Sequence, residues 1–237
     1  MKQPSLPRHH RLAPPFWRHD WYSLSQLKRA VETAISGHLS GLSNGTIVDV
    51  GAGEAPYAPL FKAAGHRYIR CDLDGEVEAK ITPGAPIPLQ NHLADAVVSF
   101  QVLEHVWDLD WYLNECHRLL KPHGKLLLST HGVWLYHPHP TDFRRWTRDG
   151  LKKELEIHGF EVIEILTCLG PLAWTTQFRA LGYYEVLRRF GAFGKALTAC
   201  ICTLMNARMI VEDFLTPRSI RETNASVYLM VARPLSR

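Results

Sequence analysis

Residues 46–61, TIVDVGAGEAPYAPLF, decide how this chain is read. Ile47-Val48-Asp49-Val50 is a short apolar run with β-branched side chains, which suits a buried strand. Gly51-Ala52-Gly53 follows, and glycine both permits a sharp turn and lets a ligand approach the backbone. A helix is predicted near residues 57–64, closed by Gly65. Its first turn would leave backbone N–H groups unpaired. Strand, glycine turn and helix start together predict a nucleotide-type binding corner.

Residues 67–72, RYIRCD, read as a second strand ending in Asp72, about twenty residues beyond the turn. An acid there is placed to accept hydrogen bonds from ribose hydroxyls. A short third strand is predicted over 77–81, a fourth over 94–100, a fifth over 125–130 and a sixth over 160–167. Helices fall between them at 109–120 and 149–158, and Lys121-Pro122-His123-Gly124 reads as a connection. Upstream, a helix is predicted from a cap at Ser23 or Ser25 to Leu39. Alternating strands and helices predict an α/β fold with a mostly parallel sheet covered by helices on both faces. The final strand is predicted over 225–232. The long interval before it must carry its own structure, and two helices are read there, over 172–190 and 193–214. The first reads as amphipathic.

The chain has 237 residues, 46% hydrophobic and 21% charged, which suits one domain with an elaboration. A formal charge of +4 is too small to argue for nucleic acid. Five scattered cysteines without a C-x-x-C pair read as reduced thiols, so the expected compartment is the cytoplasm. Residues 1–20, rich in Pro, Arg and His, read as an arm, disordered or lying over a domain at 21–237. They lack the apolar core of a secretory signal. No stretch reads as a membrane span. The most apolar, residues 196–211, is short and contains Asn206 and Arg208.

A nicotinamide dinucleotide site would want a third glycine at position 56, and Pro56 stands there. The order VDVGAGEAPY, YIRCDLD, ADAVVSFQVLEHV and RLLKPHGKLLLST instead resembles the class I S-adenosylmethionine-dependent methyltransferases, in particular the type 11 group. The resemblance covers roughly residues 42–166 and the last strand. It implies a Rossmann-like class I methyltransferase fold, a seven-stranded sheet with a helical insertion at about 170–220, before the last strand. It implies S-adenosyl-L-methionine as cofactor, with Gly51, Ala52 and Gly53 turning under its methionine portion and Asp72 on its ribose. Asp49 would orient the turn or meet the cofactor amine. Leu73 would lie against adenine, and Ser99, Phe100 and Gln101 beside the methionyl group. The acid that the family often carries after the third strand is replaced by Lys80-Ile81-Thr82-Pro83, which leaves Ile81 as an apolar wall.

Some members have a segment similar to His139, Pro140, Asp142, Phe143, Arg145, Trp146 and Thr147 after the fifth strand. There His131, His137 or His139 could act as base, Asp142 could orient a histidine or the acceptor, and Arg144 or Arg145 could hold an anionic group. Alternatively Asp142 and Arg145 pair structurally and Thr147 caps the next helix. His105, in Leu103-Glu104-His105, matches a common family position, where it could hydrogen-bond near the site and contact the acceptor, or serve packing. No metal is expected, since too few carboxylates or thiolates converge on His137 and His139. The implied acceptor is an O, N or C nucleophile on a small molecule, a sugar or a lipid-linked compound. A catalytically silent binding or scaffold protein is the alternative. A nucleic-acid acceptor is disfavoured, because the Pro-Pro-Tyr/Phe signature after the fourth strand is missing. The insertion reads as a lid or homodimer surface, or as a peripheral membrane contact.

Overall fold

The computed structural model describes residues 9–138 and 141–235. Among them are seven strands: β1 (Thr46–Val50), β2 (Arg67–Asp72), β3 (Ala79–Lys80), β4 (Ala94–Phe100), β5 (Leu120–His131), β6 (Phe160–Cys168) and β7 (Val227–Pro234). The helices are α1 (His9–Leu12), α2 (Trp21–His38), α3 (Ala58–Ala63), α4 (Leu109–Leu119), α5 (Arg148–Ile157), α6 (Pro171–Leu187), α7 (Gly191–Leu215) and α8 (Arg218–Thr223). The chain divides into two compact units, one of residues 31–166 with 228–235, the other of residues 9–30 with 167–227.

In the first unit the strand order is β3-β2-β1-β4-β5-β7-β6. β1 pairs in parallel with both β2 and β4, β2 with β3, and β4 with β5. Successive strand residues point to opposite faces, so the consecutive burial of Ile47, Val48, Asp49 and Val50 means that both faces of β1 are covered. The same holds for Ala96–Ser99 in β4 and Leu126–His131 in β5. The strand order reverses at β1, which opens a crevice at the carboxyl ends of β1 and β4.

Three strand readings shift. β3 shrinks to two residues. β5 begins at Leu120, because Lys121-Pro122-His123-Gly124 bulges out of a continuing ladder: Ala94 faces Leu120 while Ala96 already faces Lys125. β7 starts two residues late, because Ser226 is spent bonding the Cys168 and Leu169 carbonyls. α2 starts at Trp21, since Ser23 donates its hydroxyl to the Asp20 carbonyl instead of capping a later start.

The second unit is built on the α6–α7 hairpin. Gly170 N–H donates to Asp213 Oδ1 (2.7 Å), and Thr176 Oγ1 donates to Glu212 Oε2 (2.6 Å), so the two helices run antiparallel. A 3-10 turn, Arg188–Phe190, and Gly191 at φ 58° reverse the chain. Residues from the predicted arm, and Tyr22 just beyond it, are anchored here. Asn206 Nδ2 donates to the carbonyls of Phe16 (2.6 Å) and Arg18 (2.8 Å), Gln177 Nε2 to that of His19 (2.5 Å), and Tyr22 Oη to Asp213 Oδ2 (3.0 Å). The His19 ring stacks on Tyr184 at 3.9 Å. α8 is absent from the sequence pattern, which shows no apolar period over so few residues. α6 is not amphipathic in the expected sense: it buries Ala173, Thr176, Gln177 and Ala180 and exposes Leu172, Tyr183 and Val186.

The hairpin closes tightly at one point. A Cβ added at Gly194 would lie 1.9 Å from the Leu187 carbonyl oxygen, a backbone atom that cannot rotate away. Gly194→Ala should therefore destabilise the protein by about 1–3 kcal/mol, read as a lower urea midpoint at unchanged slope. Gly182, with open space around its Cβ position, is the control.

Candidate active site

The glycine turn is held from β2. Gly51 N–H and Ala52 N–H both donate to the Cys71 carbonyl, at 2.9 and 3.0 Å. Gly51 has φ 80°, and a Cβ there would lie 2.6 Å from Val102 Cγ1. Gly53 (φ 52°) donates its N–H to Asp72 Oδ2 at 2.5 Å, and Leu73 N–H donates to Asp72 Oδ1 at 2.6 Å. The carboxylate of Asp72 thus sits at the lip of the turn, with Leu73 exposed beside it. The helix start is not part of this cradle. Ala55 takes a left-handed φ of 49°, and α3 begins only at Ala58, so the corner differs from a phosphate-binding one. Ile81 is buried and its N–H is bonded to the Asp72 carbonyl (2.8 Å).

Asp49 is buried and accepts a hydrogen bond from Tyr68 Oη at 2.6 Å. Burial raises its pKa to about 7; the Tyr68 hydrogen bond opposes this and the nearby Asp72 charge adds to it. A cationic ligand beside the turn would favour the ionised form.

At the end of β4 the expected trio separates. Ser99 is fully buried and its hydroxyl pairs with Tyr112 Oη (2.7 Å), which also donates to the Val50 carbonyl (2.8 Å). Ser99 therefore ties β4 to β1 through Tyr112 and does not present its side chain to a ligand. Phe100 stands edge-on to Tyr57 at 5.1 Å. Gln101 has φ 58°, unusual for a residue with a side chain, and is held there by its N–H to the Ser129 carbonyl (2.9 Å) and its Nε2 to Ser129 Oγ (3.1 Å).

The loop after β5 folds back on the Leu103–His105 turn. Phe143 N–H donates to the Glu104 carbonyl (2.8 Å), Trp146 N–H to that of His131 (3.1 Å), and the His105 ring bonds the Thr141 carbonyl. Both arginines read as anion anchors are engaged internally. Arg145 forks onto Asp142 and also donates to the Trp134 (3.2 Å) and Leu135 (2.8 Å) carbonyls. Arg144 donates to the carbonyls of Val106 and Trp107, and lies over the Trp107 ring at 5.5 Å. Thr147 Oγ1 accepts from Gly150 N–H (3.1 Å), so it caps α5.

Asp142 is held well below the usual carboxylate range, first by its Arg145 hydrogen bonds, so it stays ionised and cannot itself act as a base near neutral pH. It accepts the His137 backbone N–H (2.9 Å), and its Oδ2 lies 3.6 Å from His137 Nδ1. His139 lies outside the described residues. The His137 ring lies 5.0 Å from both His105 and His131. Behind it is a residue that the sequence pattern does not flag, Glu104. It is fully buried, with Oε2 accepting from Thr130 Oγ1 (2.8 Å) and Oε1 3.4 Å from His131 Nε2. Burial raises the Glu104 pKa and lowers that of His131, which keeps the imidazole neutral. Only the Leu-Glu-His motif could have hinted at Glu104, and that motif does not say which side chain points inward. Glu104, His131 and His137 offer ligand atoms within 4.8 Å of one another, as do His105, His137 and Asp142.

A family model described as a methyltransferase domain matches residues 16–165. The chain belongs to this methyltransferase-domain family. The match defines the family more coarsely than the type 11 group. A probable S-adenosylmethionine-dependent methyltransferase of Mycolicibacterium smegmatis is 31% identical over 137 residues, covering 51% of this chain and 53% of the relative. One of Mycobacterium tuberculosis is 32% identical over 95 residues, covering 35% of each. The chain thus spans about half or less of the curated relatives it matches. Among solved structures, the [4+2]-cyclase SpnF superposes with a TM-score of 0.59 at 14% identity, over 90% of this chain and 83% of that one. Geranyl diphosphate C-methyltransferase from Streptomyces coelicolor gives 0.55 at 14%, over 91% and 81%. Phosphoethanolamine N-methyltransferase 2 of Haemonchus contortus gives 0.55 at 14%, over 100% and 62%. These likenesses show the Rossmann-like class I methyltransferase fold.

The buried carboxyl of Asp49 leads to a pH dependence. In the folded methyltransferase domain Asp49 holds its proton up to about pH 7, whereas unfolded it ionises near 3.8. Its contribution to stability is therefore unfavourable as pH rises from about 4 to about 7, and constant above that. Asp49→Asn should flatten this part of the stability profile in chemical denaturation. If the cofactor ammonium stabilises the ionised form, S-adenosylhomocysteine should bind more tightly at about pH 8 than at about pH 6, by up to about tenfold. Calorimetry on Asp49→Asn should then show no such rise.

Proposed function

We propose that this protein is an S-adenosylmethionine-dependent methyltransferase acting on an acceptor nucleophile that must lose a proton, of which a hydroxyl oxygen is the simplest case. Gly51 and Gly53 shape the floor for the methionine portion, Asp72 faces the ribose and Leu73 the adenine. The reading is supported by the buried Asp49, a carboxyl that a cationic ligand would stabilise, and by the Asp72 carboxylate at the turn. When bound, the cofactor supplies a methyl group already activated on a sulfonium, so the chain's work is positioning and proton removal.

The observation that carries the proton-removing role is the placement of His137 Nδ1 3.6 Å from the ionised Asp142. Asp142 accepts the His137 backbone N–H, which keeps the residue beside the carboxylate, and its charge compensates the one that develops when His137 takes the acceptor proton. His137 would take the proton that the acceptor hydroxyl loses when its oxygen is methylated, and Asp142 would balance the charge on the imidazolium that results. Arg145 spends its N–H groups on Asp142 and on the Trp134, Leu135 and Arg144 carbonyls and does not anchor the acceptor, whereas Arg144 gives two of its five N–H groups to the Val106 and Trp107 carbonyls. Exposed Trp107, Tyr136 and Phe143 border this loop and favour an acceptor with an apolar or planar portion, compatible with a lipid-linked or aromatic compound.

A metal-assisted reading has one observation in its favour: Glu104 Oε1 and His131 Nδ1 are buried with no hydrogen-bond partner among the described residues, in a cluster with His137. Two imidazoles and a carboxylate are a donor set for a divalent transition metal. Chelation separates the two. Base catalysis predicts turnover unchanged by a chelator, and the metal reading predicts loss restored by a divalent cation.

His137→Ala should lower turnover about 100-fold or more while S-adenosylhomocysteine affinity stays within about twofold. Release of S-adenosylhomocysteine would be followed with hydroxyl-bearing acceptors, phenolic, sugar and lipid-linked. Asp72→Ala should instead weaken cofactor binding at least about tenfold. The [4+2]-cyclase SpnF shares the fold, so the fold does not by itself require methyl transfer. Cofactor binding without release of S-adenosylhomocysteine in any acceptor class would favour the silent alternative.

A further inference from the structure

Soluble helices bury their large apolar side chains and expose small and polar ones. The α6–α7 hairpin does the reverse. α7 buries Gly194, Thr198, Cys202, Asn206, Met209 and Asp213, a stripe that is small or polar except for Met209. It exposes Phe193 (75% accessible), Leu204 (72%) and Phe214 (86%), together with Leu197, Ile210, Val211 and Leu215. At the tip Phe190 is 62% accessible, beside exposed Arg188 and Arg189 and just ahead of Lys195. Within Pro171–Leu215 an 18-residue window has mean hydropathy 1.2, enough by length and composition to cross a membrane, yet only 22% of it is buried. A core helix of the same composition would be mostly buried. Small residues at the helix–helix seam, polar side chains bonded inside and large apolar ones outside are how helices pack in lipid.

We propose that the α6–α7 hairpin is a lipid-facing element that inserts its Phe190–Phe193 tip into the interface of an anionic membrane. This takes up the third of the expected readings of the insertion, a peripheral membrane contact, and names the part of the hairpin that makes it. Phenylalanines at a turn flanked by basic side chains match the layered chemistry of that interface, rings at the acyl boundary and cations at the phosphates. From Glu185 to Lys195 the chain carries three basic residues against one acid, which favours anionic headgroups over zwitterionic ones. The inference rests on the hairpin alone and stands whatever the acceptor is.

The test is co-sedimentation of the full chain with vesicles of phosphatidylcholine alone or mixed with phosphatidylglycerol. The chain should pellet with the mixed vesicles. Phe190→Asp/Phe193→Asp should reduce the bound fraction at least about tenfold. Arg188→Glu/Arg189→Glu should reduce binding to the mixed vesicles at least about fivefold. Circular dichroism and the thermal midpoint check that both exposed-site variants fold. Failure to pellet with either vesicle, or pelleting unchanged by the phenylalanine variants, would overturn the proposal. So would a stable dimer in solution that these variants dissociate, which would mean that a second copy covers the face.

Discussion

Two N–H groups on one carbonyl set the geometry of the first unit. Gly51 and Ala52 both donate to the Cys71 carbonyl, which bends the chain out of β1 and across the end of β2. That bend is possible only because position 51 carries no Cβ, since Val102 fills the space where one would go. The next amide, Gly53, reaches the Asp72 carboxylate at the adjoining strand end. One turn therefore joins the ends of β1 and β2 to the segment after β4, around the place where strand order reverses. A ligand at this point meets backbone already paired and already bent, so it does not bear the cost of ordering the floor it rests on.

The segments beyond β4 and β5 are ordered by a different device, carbonyls collected by arginine. Arg145 gathers the Trp134 and Leu135 carbonyls and the Asp142 carboxylate, and Arg144 takes those of Val106 and Trp107. A loop without regular structure has many unpaired carbonyls, and a planar five-donor fork can satisfy several at once. The consequence for chemistry is indirect. Arg145 keeps Asp142 ionised, and Asp142 accepts the His137 backbone N–H. Behind that pair, burial holds His131 neutral beside Glu104.

The second unit obeys a different solvent logic. Asn206, Gln177 and Asp213 point inward to carbonyls and hydroxyls, while phenylalanines and leucines point out. In water that arrangement forgoes much of the usual gain from apolar burial. Against a lipid surface it is the economical one, because the apolar side chains find hydrocarbon and the polar ones find each other.

The sequence alone determined the parts that rest on local chemistry. β2 and β4 fall on their predicted residues because each is a short segment with strand-favouring residues at its centre, Tyr68 and Ile69 in β2, Val97 and Val98 in β4, bounded by turn formers. The places of Gly51 at the turn and of Asp72 at the end of β2 were legible because they follow from chain geometry close by in sequence. Tertiary structure decided whatever depends on which way a side chain points. Ser99 was read beside a ligand, but pairing with Tyr112 turns it into the core. Arg145 could by its letters hold an anion or pair with Asp142, and the fold makes the pair, while Arg144 is engaged by the distant Val106 and Trp107 carbonyls. Glu104 went unread because a buried acid and an exposed one look alike in a string of letters. The hairpin makes the same point on a larger scale. Its composition was visible, yet only the packing of α6 on α7 showed that the small and polar stripe faces inward, since which face of a helix is covered depends on its neighbour and not on its own residues.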